Sequence, residues 1–147
     1  MIDGKMVIDL SKMEGLKRGV VNKVLRQSQA EASKIVKTAV KNNAYGLARY
    51  GFLAKSIGSK IKTYTSVAVA IIGPRSKYIK TRGDYTRGKQ KGQPRIVRPS
   101  QYAHLVERGG KHIKPKPFLA AAMETTKESY WSALCKAIDR RISSILK

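Results

Sequence analysis

Apolar residues recur at helical spacing at both ends of the chain and alternate between them. From Met13 they run Met13, Leu16, Val20 and Val24, with Val21 and Leu25 beside them, and resume at Ala32, Ile35, Val36 and Ala39. That spacing marks one face of an α-helix, interrupted near Gln27-Ser28-Gln29. Ser11 and Glu14 have the spacing of a capping box. The pattern therefore predicts a helix over residues 12–42, ended by Asn42-Asn43. Residues 1–10 alternate through Met6, Ile8 and Leu10, as an extended arm or edge strand would. Near the other end, Leu119, Met123, Tyr130, Trp131, Leu134, Ile138, Ile142 and Ile145 form a second stripe, with Ala137 beside it and Trp131 expected in the core. Pro117 suits the first turn of that helix. Glu124 early and Arg140-Arg141 late agree with its dipole.

The middle has a different period. Ala44 to Gly51 is irregular and contains Tyr45 and Tyr50, which fit core or interface positions, as does Tyr102. Lys55 to Thr63 alternates and places Ile57 and Ile61 on one face. Val67 to Ile72 is apolar and β-branched, and Gly73-Pro74 closes it. With Tyr64-Thr65-Ser66 as the connection, these segments predict two adjacent antiparallel strands. Glycine, proline and basic residues dominate 75–100, which predicts a long loop with a strand opening at Ile96-Val97. Gln101 to Arg108 reads as a short helix or turn stopped by Gly109-Gly110, one of which should adopt a left-handed conformation with positive φ. The expected fold is α+β in a single domain, 1–147. A long N-terminal helix and a C-terminal helix pack on a small antiparallel sheet; residues 1–10 form a leader arm and 75–100 an inserted basic loop.

Charge alters the functional picture more than any other bulk property. The chain carries 31 Lys and Arg against 9 Asp and Glu, a net +22. Such a surface attracts nucleic acid, acidic protein or anionic membrane. In the loop, Arg75, Lys77, Lys80, Arg82, Arg87, Lys89, Lys91, Arg95 and Arg98 face only Asp84. With Tyr78 and Tyr85 between them, these cations could hold a phosphate backbone and stack on bases, or dock on an acidic subunit.

Enzyme chemistry finds little support. His104, His112 and Cys135 show neither metal-ligand spacing nor a nucleophile–base motif. Gly88-Lys89-Gln90-Lys91-Gly92 lacks the strand–loop–helix setting of a phosphate cradle. Neither cofactor nor metal is expected. The lone Cys135 excludes an internal disulfide. No apolar run approaches the ~18 residues of a membrane span, and no signal-peptide layout is present. A cytoplasmic site of synthesis is expected, with no membrane partner. Glu107, amid Arg108, Lys111 and His112, suits a local ion pair, a cap for the glycine turn, or a salt bridge between subunits.

Two motifs carry a family resemblance. Tyr102-Ala103-His104-Leu105-Val106-Glu107-Arg108-Gly109-Gly110 is followed by Lys114-Pro115-Lys116-Pro117-Phe118-Leu119-Ala120-Ala121-Ala122. This resembles the signature of the neck and tail-completion proteins of long-tailed, lambda-like bacteriophages. Those proteins carry Tyr-Ala-x-x-Val-Glu-x-Gly and then Pro-Phe-Leu-x-Pro-Ala; Ala121 departs from it where many relatives have a second proline. Gly51, Leu53, Ser56 and Ile57 are similar to the family's Gly-x-Leu-x-x-Ser-Ile step. The resemblance covers the chain beyond Ser11. It implies a structural virion protein without enzymatic activity, made in the host cytoplasm and built into a homo-oligomeric ring, taken as a hexamer, that joins the DNA-filled head to the tail. Its implied partners are copies of itself, adjacent neck, head-closure or tail-tube proteins, and the DNA end. Cations facing a passing duplex would retard it, so acidic neighbours are the preferred partner of the loop and a stationary DNA end the second. The alternative is a free basic nucleic-acid-binding domain, such as a ribosomal or nucleoid-like one.

Overall fold

A computed structural model describes residues 18–47, 51–64 and 67–145. The leader arm at 1–10, the Ser11–Glu14 capping box, Met13, Leu16, Tyr50 and the Thr65-Ser66 connection lie outside the described residues. The fold is α+β. Its elements are α1 (Arg18–Tyr45), α2 (Phe52–Ser56), β1 (Ile57–Thr63), β2 (Ala68–Pro74), β3 (Lys80–Asp84), β4 (Pro94–Val97), α3 (Pro99–Arg108) and α4 (Phe118–Ile145). The strands form two hairpins, β1–β2 and β3–β4. The chain divides into two compact units. One comprises Met1–Val36, Ser59–Ile71 and Glu124–Lys147; the other comprises Lys37–Gly58 and Ile72–Met123.

In the first unit Val24 and Ala32 of α1 pack with Leu134, Ile138 and Ile142 of α4, and Val21, Leu25, Tyr130 and Ala133 close around them. The helix runs without a break through Gln27-Ser28-Gln29, where the apolar stripe is interrupted in the sequence. Ser28 is fully buried on the line of Val24 and Ala32, small enough to sit in an apolar seam, and Gln29 accepts a 2.8 Å hydrogen bond from the Tyr130 hydroxyl. Trp131 is 41% exposed and is not core. Adjacent helical residues point about 100° apart, so Tyr130 turns inward and Trp131 lies edge-on against its ring at 5.4 Å. Met123 and Ile145 are also exposed. Glu31 accepts bonds of 2.8 and 2.7 Å from Arg140 and one of 2.8 Å from Arg141.

In the second unit α1 continues past Asn42-Asn43 to Tyr45. Ala44 is fully buried, and the Asn43 amide donates to the Phe118 carbonyl at 3.4 Å, so neither asparagine acts as a stop. Tyr45 is 70% exposed, contrary to a core position. Val40, Leu53, Ala54, Ile57, Ala103, Phe118 and Ala122 are buried.

The β1–β2 hairpin closes through reciprocal bonds between Tyr64 and Val67, 2.8 and 3.4 Å, and its far end through the Arg75 amide to the Ser56 carbonyl at 2.9 Å. Both pairs belong to one antiparallel register. Ile57 is buried and Ile61 half-buried on the same side. The stretch 75–100, expected as loop, contains the second hairpin. Lys80 pairs with Val97, Thr81 with Ile96 and Asp84 with Pro94, with a bulge between Thr81 and Asp84. Gly83, at φ 70°, supplies the positive φ that such a bulge uses. Its exposed, mostly polar faces carry no core alternation, which hid the strands from periodicity.

Two outcomes are expected in the first unit. Leu134→Asp places an unpaired charge in the α1–α4 seam and should lower unfolding stability by about 3 kcal/mol or more in a denaturant titration. Hydrogen bonding from Arg141, then from Arg140, holds the Glu31 carboxyl below the usual range. Its contribution is therefore complete above the carboxyl pKa of the unfolded chain and is lost as pH falls through the lower folded value. Glu31→Gln should flatten the acid limb of a stability–pH profile and leave the neutral-to-alkaline part parallel to wild type.

Candidate functional site

The nine loop cations separate into groups. Arg75 is structural. Its Nε donates to the Ser56 carbonyl and its Nη2 to the Lys55 carbonyl, each at 3.3 Å. Its stem covers Gly58, where a Cβ would meet Arg75 Cδ at 2.7 Å, and its guanidinium lies 5.8 Å from the Tyr78 ring centre. Only a glycine at 58 leaves room for that arrangement. Lys77 sits in the turn closed by the Tyr78 amide on the Arg75 carbonyl, 3.1 Å. Arg98 precedes α3, and its carbonyl accepts from Gln101 at 3.0 Å. Lys80 and Arg82 lie on β3 and Arg95 on β4; Arg82 is half-buried and the other two are exposed.

Arg87, Lys89 and Lys91 occupy the tip of the β3–β4 hairpin, all exposed. The tip is built by its own backbone. Tyr85 N–H donates to Gln93 at 3.0 Å and Gly92 N–H to Tyr85 at 2.9 Å. Lys91 N–H donates to Gly88 at 3.1 Å and Gln93 N–H to Gln90 at 3.0 Å. Gly88 and Gly92, both at φ 81°, allow the chain to reverse twice. Arg95 stacks over Tyr85 with 5.6 Å between guanidinium and ring centre. Six of the nine cations thus share one hairpin, and three of them cap it.

The motif residues serve the fold. Gly51 adopts φ 63°, ψ 7° at the start of α2, and its carbonyl accepts from Lys55 at 3.1 Å. Leu53, Ser56 and Ile57 are buried, and the Ser56 hydroxyl donates to the Leu53 carbonyl at 2.6 Å. In the second motif Ala103 is buried, and Tyr102 and Val106 are half-buried. Burial, with the nearby Tyr78, raises the Tyr102 hydroxyl above the usual phenol pKa.

Glu107 caps neither the glycine turn nor a neighbouring cation. Its Oε2 accepts from the amides of Phe118 and Leu119 and its Oε1 from Ala120, each at 2.9 Å. These are first-turn amides of α4, which lack intrahelical partners and lie at the positive end of the dipole. The chain between is folded to bring them there. Gly109 N–H returns to Leu105 at 2.9 Å, Gly110 and Ile113 exchange bonds of 2.9 and 3.2 Å, and Lys116 N–H reaches Val106 at 2.8 Å. Gly109 has φ 80°, ψ 179°. This is positive φ, as expected, but in an extended conformation that is essentially restricted to glycine. Pro117 immediately precedes α4, and Phe118 is buried as its first residue.

A further surface was not anticipated as such. The β1–β2 register puts Lys60, Lys62 and Tyr64 on one face with Val67, Val69 and Ile71. Tyr64, Val67, Val69 and Ile71 are all exposed. The unbroken apolar run from Val67 to Ile72 was the available signal, because a strand apolar on both faces lacks polar alternation. Among the described residues no group of His, Cys, Asp and Glu could hold a metal ion, and no helix is long and apolar enough to cross a membrane. No protein-family model matches the chain, and no curated protein or solved structure matches it.

Glu107→Ala should cost about 1–2 kcal/mol of stability and speed amide exchange in the first turn of α4, the magnitude of a lost helix cap. Gly109→Val adds strain at that φ, and its Cβ would lie 2.9 Å from the Ile113 carbonyl. It should destabilise at least as much as Glu107→Ala in the same thermal melt.

Proposed function

We propose that the chain is a structural protein of the neck of a long-tailed bacteriophage. In this reading it forms part of a ring, taken as a hexamer, that joins the DNA-filled head to the tail. The observation that carries it is the exposed, glycine-built tip bearing Arg87, Lys89 and Lys91, on a chain of net charge +22. A tip of that charge suits contact with an acidic neighbour. The apolar face at Tyr64, Val67, Val69 and Ile71 supports self-association, since a contiguous exposed apolar strand face is uncommon on an isolated monomer. The family-like motifs support the same reading. Their residues form the α2–β1 anchor and the Glu107 cap, which are coherent structural devices.

The mechanism is geometric. Subunits associate through apolar sheet surface, and the basic hairpins meet acidic surface on adjacent neck, head-closure or tail-tube proteins. A stationary DNA end is the second partner. The competing reading is a free nucleic-acid-binding domain, favoured by the Arg95–Tyr85 stack, which resembles the cation–aromatic surfaces that hold single strands. Strong, salt-dependent DNA affinity of the isolated chain would support it.

Arg87, Lys89 and Lys91 are the informative positions to neutralise, because Arg82 is half-buried in the hairpin. Replacing all three by Gln should leave the thermal melt of the isolated chain within about 1 kcal/mol of wild type. The same change should lower the yield of joined heads and tails most at low salt, with the difference from wild type shrinking as salt screens the wild-type contact. Wild-type yields at low and high salt would remove the hairpin's charge from the mechanism.

A further inference from the structure

A groove of about 1060 Å³ runs between α1 and β1 within the first unit. The helix contributes one face, from Gly19 to Ala30, including Asn22, Lys23 and Arg26; the strand contributes Lys60, Ile61, Thr63 and Tyr64. Successive strand side chains point to opposite faces. Lys60 and Tyr64 belong to one face and Ile61 and Thr63 to the other, so a groove touching all four follows the edge of β1. Among the described residues β2 is the only strand paired with β1, so this is the edge away from β2.

The hydrogen-bond register leads to the same edge. Tyr64 exchanges both backbone bonds with Val67, and Ser56 accepts from Arg75. Residues in step with these, Gly58, Lys60 and Lys62, direct their amides and carbonyls toward β2. Ser59, Ile61 and Thr63 direct theirs outward. Among the described residues nothing pairs with these outward groups, which line the groove as an open ladder.

Its chemistry is one-sided. Lys23, Arg26 and Lys60 line it, and no acid does among the described residues. Asn22 adds a buried side-chain oxygen without a hydrogen-bond partner. A peptide N–H is one donor that would satisfy that oxygen.

We propose that this groove takes an extended acidic segment of a partner protein, which adds as a third strand to the outer edge of β1. Its backbone pairs with Ile61 and Thr63, and its carboxylates meet Lys23, Arg26 and Lys60. This is strand addition, with main-chain bonds giving affinity and side-chain charge giving selectivity. The site is separate from the β3–β4 tip and does not depend on the neck reading.

The test uses the full chain and two end-capped synthetic peptides of about eight residues, an ordinary strand length. One alternates Asp with Val; the other has Asn in place of Asp. Fluorescence anisotropy at low salt should show the Asp peptide binding about tenfold or more tighter, and it should slow amide exchange at Ile61 and Thr63. Lys23→Glu, Arg26→Glu and Lys60→Glu together should remove that preference. Lys60→Gln alone should weaken it, which keeps the test decisive if the triple variant does not fold.

Equal binding of the two peptides, or no change in exchange at Ile61 and Thr63, overturns the proposal. So does slow exchange of those amides before any peptide is added, because the chain's own residues or a second copy would then fill the groove. A single-stranded oligonucleotide that protects the same amides more strongly than the Asp peptide also overturns it and makes the groove a nucleic-acid site.

Discussion

The carboxylate of Glu107 on three amides of α4 is the contact on which the second unit turns. Helix starts are usually capped by a residue just before the first turn. Here the residues before Phe118 are Lys114-Pro115-Lys116-Pro117, and the prolines have no N–H and no capping side chain. The cap instead comes from α3, across a return through Gly109 and Gly110. Burial of Phe118 and Ala122 depends on α4 starting at that point. The Asn43 bond to the Phe118 carbonyl then ties the end of α1 to the same place.

This use of an acid bears on the rest of the surface. The chain has few carboxylates, and two with clear partners serve the fold. Glu107 serves backbone amides, and Glu31 serves two arginines that link α4 to α1. Neither offsets the cations of the β3–β4 hairpin. Arg87, Lys89 and Lys91 sit on an exposed tip whose shape is set by backbone bonds and glycines and does not rest on their charge.

How much of this was legible depended on whether an element buries a periodic face. The α1 and α4 stripes, the β1–β2 hairpin and the positive φ of Gly109 follow from spacing and glycine chemistry. Ser28 interrupted the apolar stripe of α1 but not the helix, since a small hydroxyl residue can occupy an apolar seam without looking apolar. Trp131 misled because hydrophobicity does not decide which of two adjacent aromatics turns inward. The β3–β4 hairpin was invisible to periodicity because both its faces are largely exposed. Arg75 looked like its eight basic neighbours; only the bare Gly58 beneath its stem hinted at a packed role. Glu107 was singled out in the sequence, but its true partner lies 11–13 residues further on. A return loop of that kind follows from no local pattern.

The central functional claim is that a charged tip and an apolar strand face are both contact surfaces of an assembled ring. High-resolution imaging of the particle containing this chain measures both at once. The account predicts copies repeated about the particle axis, with Tyr64, Val67, Val69 and Ile71 covered by a neighbouring protein. It also predicts the tip at Arg87, Lys89 and Lys91 against acidic side chains. Copies scattered without a repeated contact, or a tip projecting into solvent with the strand face uncovered, would contradict it.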